Sequence, residues 1–334
     1  MPSRRRALLS LAILIGLALL SVLVALAAGS LSVSAADILS ALSGNKGGLA
    51  VEVIGGLRLP RALAAFACGG LLALAGVLMQ VLLRNPLADP YVLGISGGAA
   101  VGALAAMLAG LTLALMNLAA FAGALAAMLM VFGLAHGDAS WTRSRLLLTG
   151  VIVAAGCGAI VALILSIAPE EDLHGMLFWL MGDLGYATSP WPALMVLALG
   201  LVVTLPFARE LNLLSRGDTL AQALGVSVKH VKLGIYVLAS LLTAVAVTTA
   251  GSIGFIGLVV PHLVRLAMIR LGWGNDQRLL LPASALFGGS LLVLADTLAR
   301  TVIAPQQLPV GVLTALLGVP VFLFLLGRQP SEHQ

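Results

Sequence analysis

Three arginines carry the most pointed chemistry in this sequence. Arg58 and Arg61 stand one helical turn apart, and Arg300 follows Asp296 by one turn. A guanidinium grips a carboxylate through two parallel N–H donors, so each of the three can hold an acidic group. Each can equally stretch an apolar stem toward a lipid headgroup, and residue types alone leave both readings open. Asp296 with Arg300 four residues on favours a structural ion pair.

The other reactive side chains do not converge. Gln80 and Asn117 are isolated polar groups in apolar surroundings. His136, His174, His230, His262 and His333 are spread over different loops and ends, so structural roles are favoured and no metal site is implied. Cys68 and Cys157 sit inside apolar runs and read as small packing residues, not as a disulfide framework. No phosphate loop of the form GxxxxGK[ST] occurs, because Gly44-Asn45-Lys46 lacks that pattern. No Ser/His/Asp set is recognisable. The chain reads as a pathway without catalytic residues or cofactor, and any ATP hydrolysis must come from another polypeptide.

The elements that position these residues follow from the scarcity of charge. The 334 residues include 18 Lys+Arg and 13 Asp+Glu, gathered in short islands, and 60% are hydrophobic. From Ala62 to Leu83 no charge occurs, and Arg61 and Arg84 fence the run. Such a helix is about 33 Å long, enough for a hydrocarbon core of about 30 Å. The 38 glycines suit close helix packing within a bilayer. Ten spans are expected, near 7–29, 60–83, 91–110, 114–135, 145–168, 190–208, 231–250, 257–270, 279–298 and 308–327. Arg4-Arg5-Arg6 before the apolar Ala7 to Ala28 resembles a secretory leader, but the apolar run exceeds a usual leader core of about 7–15 residues, so a retained first helix is expected.

With the N-terminus inside, the inner islands hold Arg84, Arg143, Arg145, Arg209, Arg216, Lys229, Lys232, Arg265, Arg270, Arg278 and Arg328 besides the N-terminal arginines. Only Lys46, Arg58, Arg61 and Arg300 fall outside, which fits the positive-inside rule with both termini cytoplasmic. The external segment after the fifth span carries Glu170, Glu171, Asp172 and Asp183. The eighth span is short and preceded by Gly251, Gly254 and Gly257, a pattern found near transport pathways and wherever helices pack closely.

Several motifs then agree on a family. The stretch Arg84-Asn85-Pro86-Leu87-Ala88-Asp89-Pro90-Tyr91-Val92-Leu93-Gly94-Ile95-Ser96-Gly97-Gly98-Ala99 reads physically as a structured cytoplasmic turn, with Asp89 able to cap the segment after it. Its wording resembles the iron-siderophore, haem and cobalamin (FecCD-type) permease family of ABC importers. So do Leu57-Arg58-Leu59-Pro60-Arg61, the run Gly251-Ser252-Ile253-Gly254-Phe255-Ile256-Gly257-Leu258-Val259-Val260-Pro261-His262, and Leu308-Pro309-Val310-Gly311-Val312-Leu313-Thr314. The likeness extends from about 57 to 326, in order. Gln277 stands where many relatives are expected to have His.

The resemblance implies one all-α permease domain over 1–334 with the type II ABC importer fold, multi-pass in the bacterial inner membrane. It implies a homodimer with two copies of a cytoplasmic ATP-binding subunit and a periplasmic substrate-binding protein, surrounded by membrane lipid, with no nucleic acid involved. The expected cargo is an iron complex, a ferric siderophore or haem, with cobalamin as the alternative. An ion-coupled secondary transporter is the reading from a different class, and the near lack of ionisable residues at span centres argues against it.

The resemblance also assigns roles. The segment 212–226 becomes the coupling helix that enters the ATPase, with Gly217, Asp218, Ala221, Leu224 and Gly225 carrying the contact. From the residues themselves, Asp218 can cap a short helix that Gly225 ends, and Leu220, Ala221 and Leu224 form an apolar face that suits either a partner's groove or the bilayer surface. Arg58, Arg61 and Arg300 become docking residues for the binding protein. Asn85, Leu87, Arg143 and Ser144 become part of an inner gate, with Arg143 in place of an expected small polar residue.

Overall fold

A computed structural model describes residues 4–29, 31, 33–44, 47–135, 143–187, 189–304 and 306–327. Of the residues singled out above, Lys46, His136, Arg328 and His333 lie outside this set, as does the side chain of Arg143. Among the described residues the chain forms α-helices and no strands.

The helices are α1 (Arg4–Ala27), α2 (Ala35–Leu42), α3 (Leu49–Val53), α4 (Leu59–Leu83), α5 (Ile95–Leu108), α6 (Leu113–Ala135), α7 (Arg143–Ile167) and α8 (Glu170–Met181). They continue as α9 (Trp191–Thr204), α10 (Ala208–Arg216), α11 (Asp218–Ala223), α12 (Val228–Ala250), α13 (Ile256–Arg270), α14 (Gln277–Thr301) and α15 (Val310–Gly327). A π turn, Ile54–Arg58, joins α3 to α4, and 3-10 turns occupy Pro90–Leu93 and Leu184–Tyr186.

Each expected span coincides with a helix, yet six helical runs are long and apolar enough to cross a bilayer alone: Arg5–Ala27, Leu49–Leu83, Leu113–Ala135, Ser144–Ile167, Val228–Ala250 and Gln277–Thr301. The pair α9 and α10, bent by 69°, makes a seventh if counted as one span. Helices α5 and α15 are apolar but short. Of the ten full spans expected, six helical runs among the described residues, or seven with the bent pair, meet the length and composition of a span, and the other expected spans fall on shorter helices.

Helix α4 is the axis of the bundle. Every residue from Ala67 to Leu83 is buried, and α12, α13 and α14 lie along it. Lipid tails are as apolar as leucine, so association within a bilayer depends on close van der Waals contact, which small residues permit. A Cβ on Gly76 would overlap the carbonyl oxygen of Gly257 in α13, and one on Gly69 would overlap that of Gly288 in α14. These two positions set how near α4 comes to its neighbours.

Two local structures depart from the sequence reading. The second span does not start at Pro60, because the helix runs on from Leu49 through the π turn. Proline removes an N–H from the helical ladder, and the wider turn just before it absorbs the mismatch. The segment after α4 is also more than a cytoplasmic turn. It folds back into the bundle until the Pro90 ring lies against Gly257, beside the carbonyl of Leu72 near the middle of α4.

Outside the bundle, α2 begins with a capping box. The Ser34 hydroxyl and N–H both donate to Asp37, which holds that carboxyl below the ordinary aspartate range.

The glycine contacts predict an asymmetric tolerance. Gly76→Leu forces a side chain into a backbone carbonyl that cannot rotate away, and overpacking of this kind destabilises by about 1–3 kcal/mol or more. Its apparent melting temperature and monodisperse yield in detergent should fall sharply. Gly133→Ala in α6, where an added Cβ meets open space, should match the unaltered chain. Equal behaviour of the two variants would refute the close-packing role of Gly76.

Candidate functional site

Arg58, at the end of the π turn, is 5% exposed. Its guanidinium donates to the carbonyls of Leu26 (2.7 Å), Ala27 (3.3 Å) and Leu31 (2.7 Å). Leu26 and Ala27 close α1, where carbonyls lack intrahelical partners and the helix dipole is negative, so a cation there is doubly favoured.

Arg61, one turn on, aims at Asp296 of α14. Its Nε lies 3.1 Å from both carboxylate oxygens and its Nη2 lies 2.9 Å from Oδ1. Its Nη1 donates to Gln307 Oε1 at 3.1 Å, and Nη2 reaches Asp183 Oδ1 at 3.5 Å. Arg300 approaches the other side of Asp296, with Nε 3.1 Å from Oδ2, and adds a long bond to the carbonyl of Ala25. The expected Asp296–Arg300 pair is present, and Arg61 joins it. A carboxylate only 1% exposed is stable only when paired, and here two guanidiniums face it. The structure therefore brings all three arginines together, as a knot joining α1, α4, α14 and the loops at Asp183 and Gln307. Each of the three guanidiniums donates within the chain. Beside the knot lies an open basin of about 560 Å³ lined by Gly56, Arg58, Arg61, Gly185, Arg300 and Gln307, among others.

The other end of α4 carries a second knot. Arg84 caps the helix in the left-handed conformation, and its Nη2 lies 2.9 Å from Asp218 Oδ2. Lys232 Nζ of α12 lies 2.7 Å from the same oxygen. Asp218 thus does not cap its helix as expected. Gly217 takes the cap position at φ +135°, without a side-chain bond, and Asp218 is drawn to two cations instead. Gly225 ends the segment at φ +83°, a conformation that suits glycine.

The expected single helix over 212–226 is in fact two, α10 and α11, hinged at Gly217. Ala221 is fully buried, whereas Leu220 and Leu224 are 44% and 53% exposed. Asn212 fastens α10 to the start of α14. Its amide donates to Asp276 Oδ1 at 2.9 Å, and its carbonyl oxygen accepts from the Gln277 N–H at 3.0 Å. The exposed side chains of Leu220 and Leu224 therefore sit on a fixed base.

At the turn after α4, Asn85 is exposed and its side chain accepts from the Leu87 N–H at 2.9 Å, while Leu87 is half-buried. Ser144 is exposed at the start of α7. Among the described residues, no hydrogen bond or ion pair joins the Asn85 turn to Ser144.

Three contacts went unforeseen in the sequence. The Tyr91 hydroxyl donates to the Ile253 carbonyl at 3.0 Å and accepts from its N–H at 3.1 Å. Ser96 and Ser252 hydroxyls lie 2.9 Å apart. Arg265 donates to Gln80 at 2.7 Å, which gives that isolated amide a partner. Each pair is separated by more than 150 residues, so no local spacing signals it. No group of three or more metal-ligating side chains occurs among the described residues.

Comparison with known proteins gives a consistent result. The profile of the FecCD transport family matches residues 17–328. The hemin transport system permease protein HmuU of Yersinia pestis is 46% identical over 83% of this chain and 84% of its own length. The vitamin B12 import system permease protein BtuC of Salmonella paratyphi A is 40% identical over 96% of this chain and 94% of its own. A solved metal-chelate type ABC transporter in an inward-facing conformation superposes with a TM-score of 0.83 and 31% identity, covering 96% of this chain and 99% of that one.

The two aspartates of the Arg61–Asp296–Arg300 knot should separate cleanly. Asp296→Asn removes a buried charge that faces two half-buried guanidiniums, and breaking a buried pair costs about 3–5 kcal/mol. Asp183→Asn loosens a 3.5 Å contact at a side chain 21% exposed, where pairs contribute about 0–1 kcal/mol. Thermal melting in detergent should drop strongly for the first variant and barely for the second. Comparable losses would mean that Asp296 is not the centre of the knot.

Proposed function

Because the chain belongs to the FecCD transport family, whose profile spans residues 17–328, we propose that it is the transmembrane permease subunit of an ATP-driven importer of iron complexes, ferric siderophore or haem. Two copies form the pathway on a two-fold axis. A pair of ATP-binding subunits sits on the cytoplasmic side and a substrate-binding protein delivers cargo from the periplasm. Both termini face the cytoplasm of a bacterial inner membrane, as the distribution of Lys and Arg supports. The observation that carries the reading is the near full-length superposition on a metal-chelate type ABC transporter. Cobalamin is the second reading, favoured by the likeness to BtuC over nearly the whole chain. Titrating the cognate binding protein with haem, a ferric siderophore and cobalamin, followed by uptake in proteoliposomes, decides between them.

The segment α10–α11 couples this chain to ATP hydrolysis. Leu224 supplies an exposed apolar contact, Ala221 seats the helix, Asp218 ties it to Arg84 and Lys232, and Gly217 and Gly225 allow its turns. Leu224→Asp should insert and assemble normally but abolish ATP-driven uptake. Uptake at the unaltered rate would remove this helix from the coupling role. Asn85, Leu87, Arg143 and Ser144 form part of the inner gate, to be tested by cysteine cross-linking between protomers across nucleotide states.

Docking of the binding protein uses the basin beside Arg58, Arg61 and Arg300. Three guanidiniums against Asp183 and Asp296 leave one positive charge in excess, which suits an acidic side chain from a partner. Direct reversal of Arg58 or Arg61 would also break the internal bonds described above. Gln307→Glu is the cleaner probe, since it keeps the acceptor for Arg61 while cancelling the excess charge. Affinity for the binding protein should fall by up to about five-fold per site, more at low salt, with melting unchanged. Unaltered affinity at low salt would argue against electrostatic docking here.

A further inference from the structure

A cleft of about 550 Å³ opens where the bent pair α9–α10 diverges from α12. Its walls are apolar and include Val203, Phe207, Leu224, Val231, Ile235 and Leu238. Val203 and Phe207 are 41% and 52% exposed, so the cleft is open toward the surroundings of the bundle. Along α12 it runs from Ser227 to Leu238. That distance is about 16 Å at helical rise, close to the thickness of one leaflet's hydrocarbon, about 15 Å.

The wide apolar part meets a polar mouth. Arg209, Glu210 and His230 line it. Arg209 is exposed, at the start of α10. His230 is exposed, with Nδ1 3.3 Å from the Ser227 hydroxyl. Glu210 Oε2 is buried without a hydrogen-bond partner. A buried carboxylate oxygen left unmatched costs free energy unless a donor reaches it. The mouth thus presents a cationic side chain and a carboxylate with one unmatched oxygen at the foot of an acyl-length groove.

We propose that this cleft is a binding site for an inner-leaflet phospholipid with a zwitterionic headgroup bearing a primary ammonium, of the phosphatidylethanolamine class. One acyl chain lies between α9 and α12. The phosphate faces Arg209 and His230, and the ammonium donates to Glu210. The sign pattern of the mouth selects the headgroup: a purely anionic lipid would satisfy Arg209 and leave Glu210 unmatched, and a quaternary ammonium has no N–H to donate. A lipid seated here touches Leu224 and Gly225, which line the cleft just after α11, so it braces the end of that helix.

Gly234 supplies the test. It lines the cleft, and a Cβ added there meets open space. Gly234→Leu therefore fills the groove without displacing backbone, and leucine favours the helix over glycine. The intact protein, purified in mild detergent and stripped of lipid, is titrated with phosphatidylethanolamine, phosphatidylglycerol and phosphatidylcholine and read by native mass spectrometry. The unaltered protein should retain phosphatidylethanolamine most strongly. Gly234→Leu should lose that retention. Glu210→Gln should weaken it about ten-fold while leaving phosphatidylglycerol unchanged, the size expected for one charge-assisted hydrogen bond. Equal retention of the three lipids by the unaltered protein, which needs no variant to fold, would overturn the headgroup assignment. Undiminished binding in Gly234→Leu would overturn the site. A photo-reactive residue at 234 that captures a second copy of this chain or an ATPase subunit instead of lipid would also overturn it.

Discussion

A helix in hydrocarbon gains nothing by hiding leucine from lipid, so α4 is held by how closely its backbone comes to its neighbours. Glycine faces glycine twice along it, Gly69 to Gly288 and Gly76 to Gly257. Contact at that distance adds dispersion along whole helix faces, and each gap of a methyl group would forfeit part of it. The arrangement leaves room for no side chain at those levels. It also fixes the position of α13, which is too short and too polar, with His262 and Arg265, to be placed by its own hydrophobicity. Everything else is arranged around this rod.

Both ends of the rod finish in ion pairs that share a logic. At one end Asp296 faces Arg61 and Arg300, and at the other Asp218 faces Arg84 and Lys232. In each case one carboxylate serves two cations from different helices. Within each knot the carboxylate cannot leave without stranding two positive charges, which makes the helix ends stiff. From Arg61 to Arg84 is about 34 Å along an uninterrupted helix. The hinged pair α10–α11 is consequently tied to the same rigid element that carries the basin beside Arg58 and Arg61.

Much of this was legible in the sequence because bilayer insertion imposes a coarse rule. Runs free of charge located every long helix, and the spacing of Asp296 and Arg300 named their pair. The errors have local physical causes. Pro60 looked like a helix start because proline favours the first turn, but a π turn let the helix continue back to Leu49. Asp218 looked like a cap because aspartate caps helices, but Arg84 and Lys232 offer stronger partners than an N–H does. Arg58 looked like an outward-facing cation, yet the carbonyls closing α1 take it up. Its burial could not be read from residues 57–61, since its partners lie about 30 positions earlier.

The least regular backbone in the bundle lies between α12 and α13, and its surroundings explain why it can exist there. Gly251 has φ +68° and Phe255 has φ +69°, the latter a conformation that L side chains rarely adopt. Unpaired backbone inside a membrane is tolerated only where protein covers it or a cavity accepts it. Here Tyr91 reaches in from the folded-back turn and satisfies both the N–H and the carbonyl of Ile253. Ser96 meets Ser252. Gly251 lies against the carbonyl of Trp179 at the end of α8, and Gly311 at the start of α15 lies against Met181 and Ser252. Four chain breaks therefore meet at one level and match one another's polar groups. Irregular backbone of this kind can therefore persist within the bundle, because the helix ends around it cover it with protein where lipid could offer no hydrogen bond.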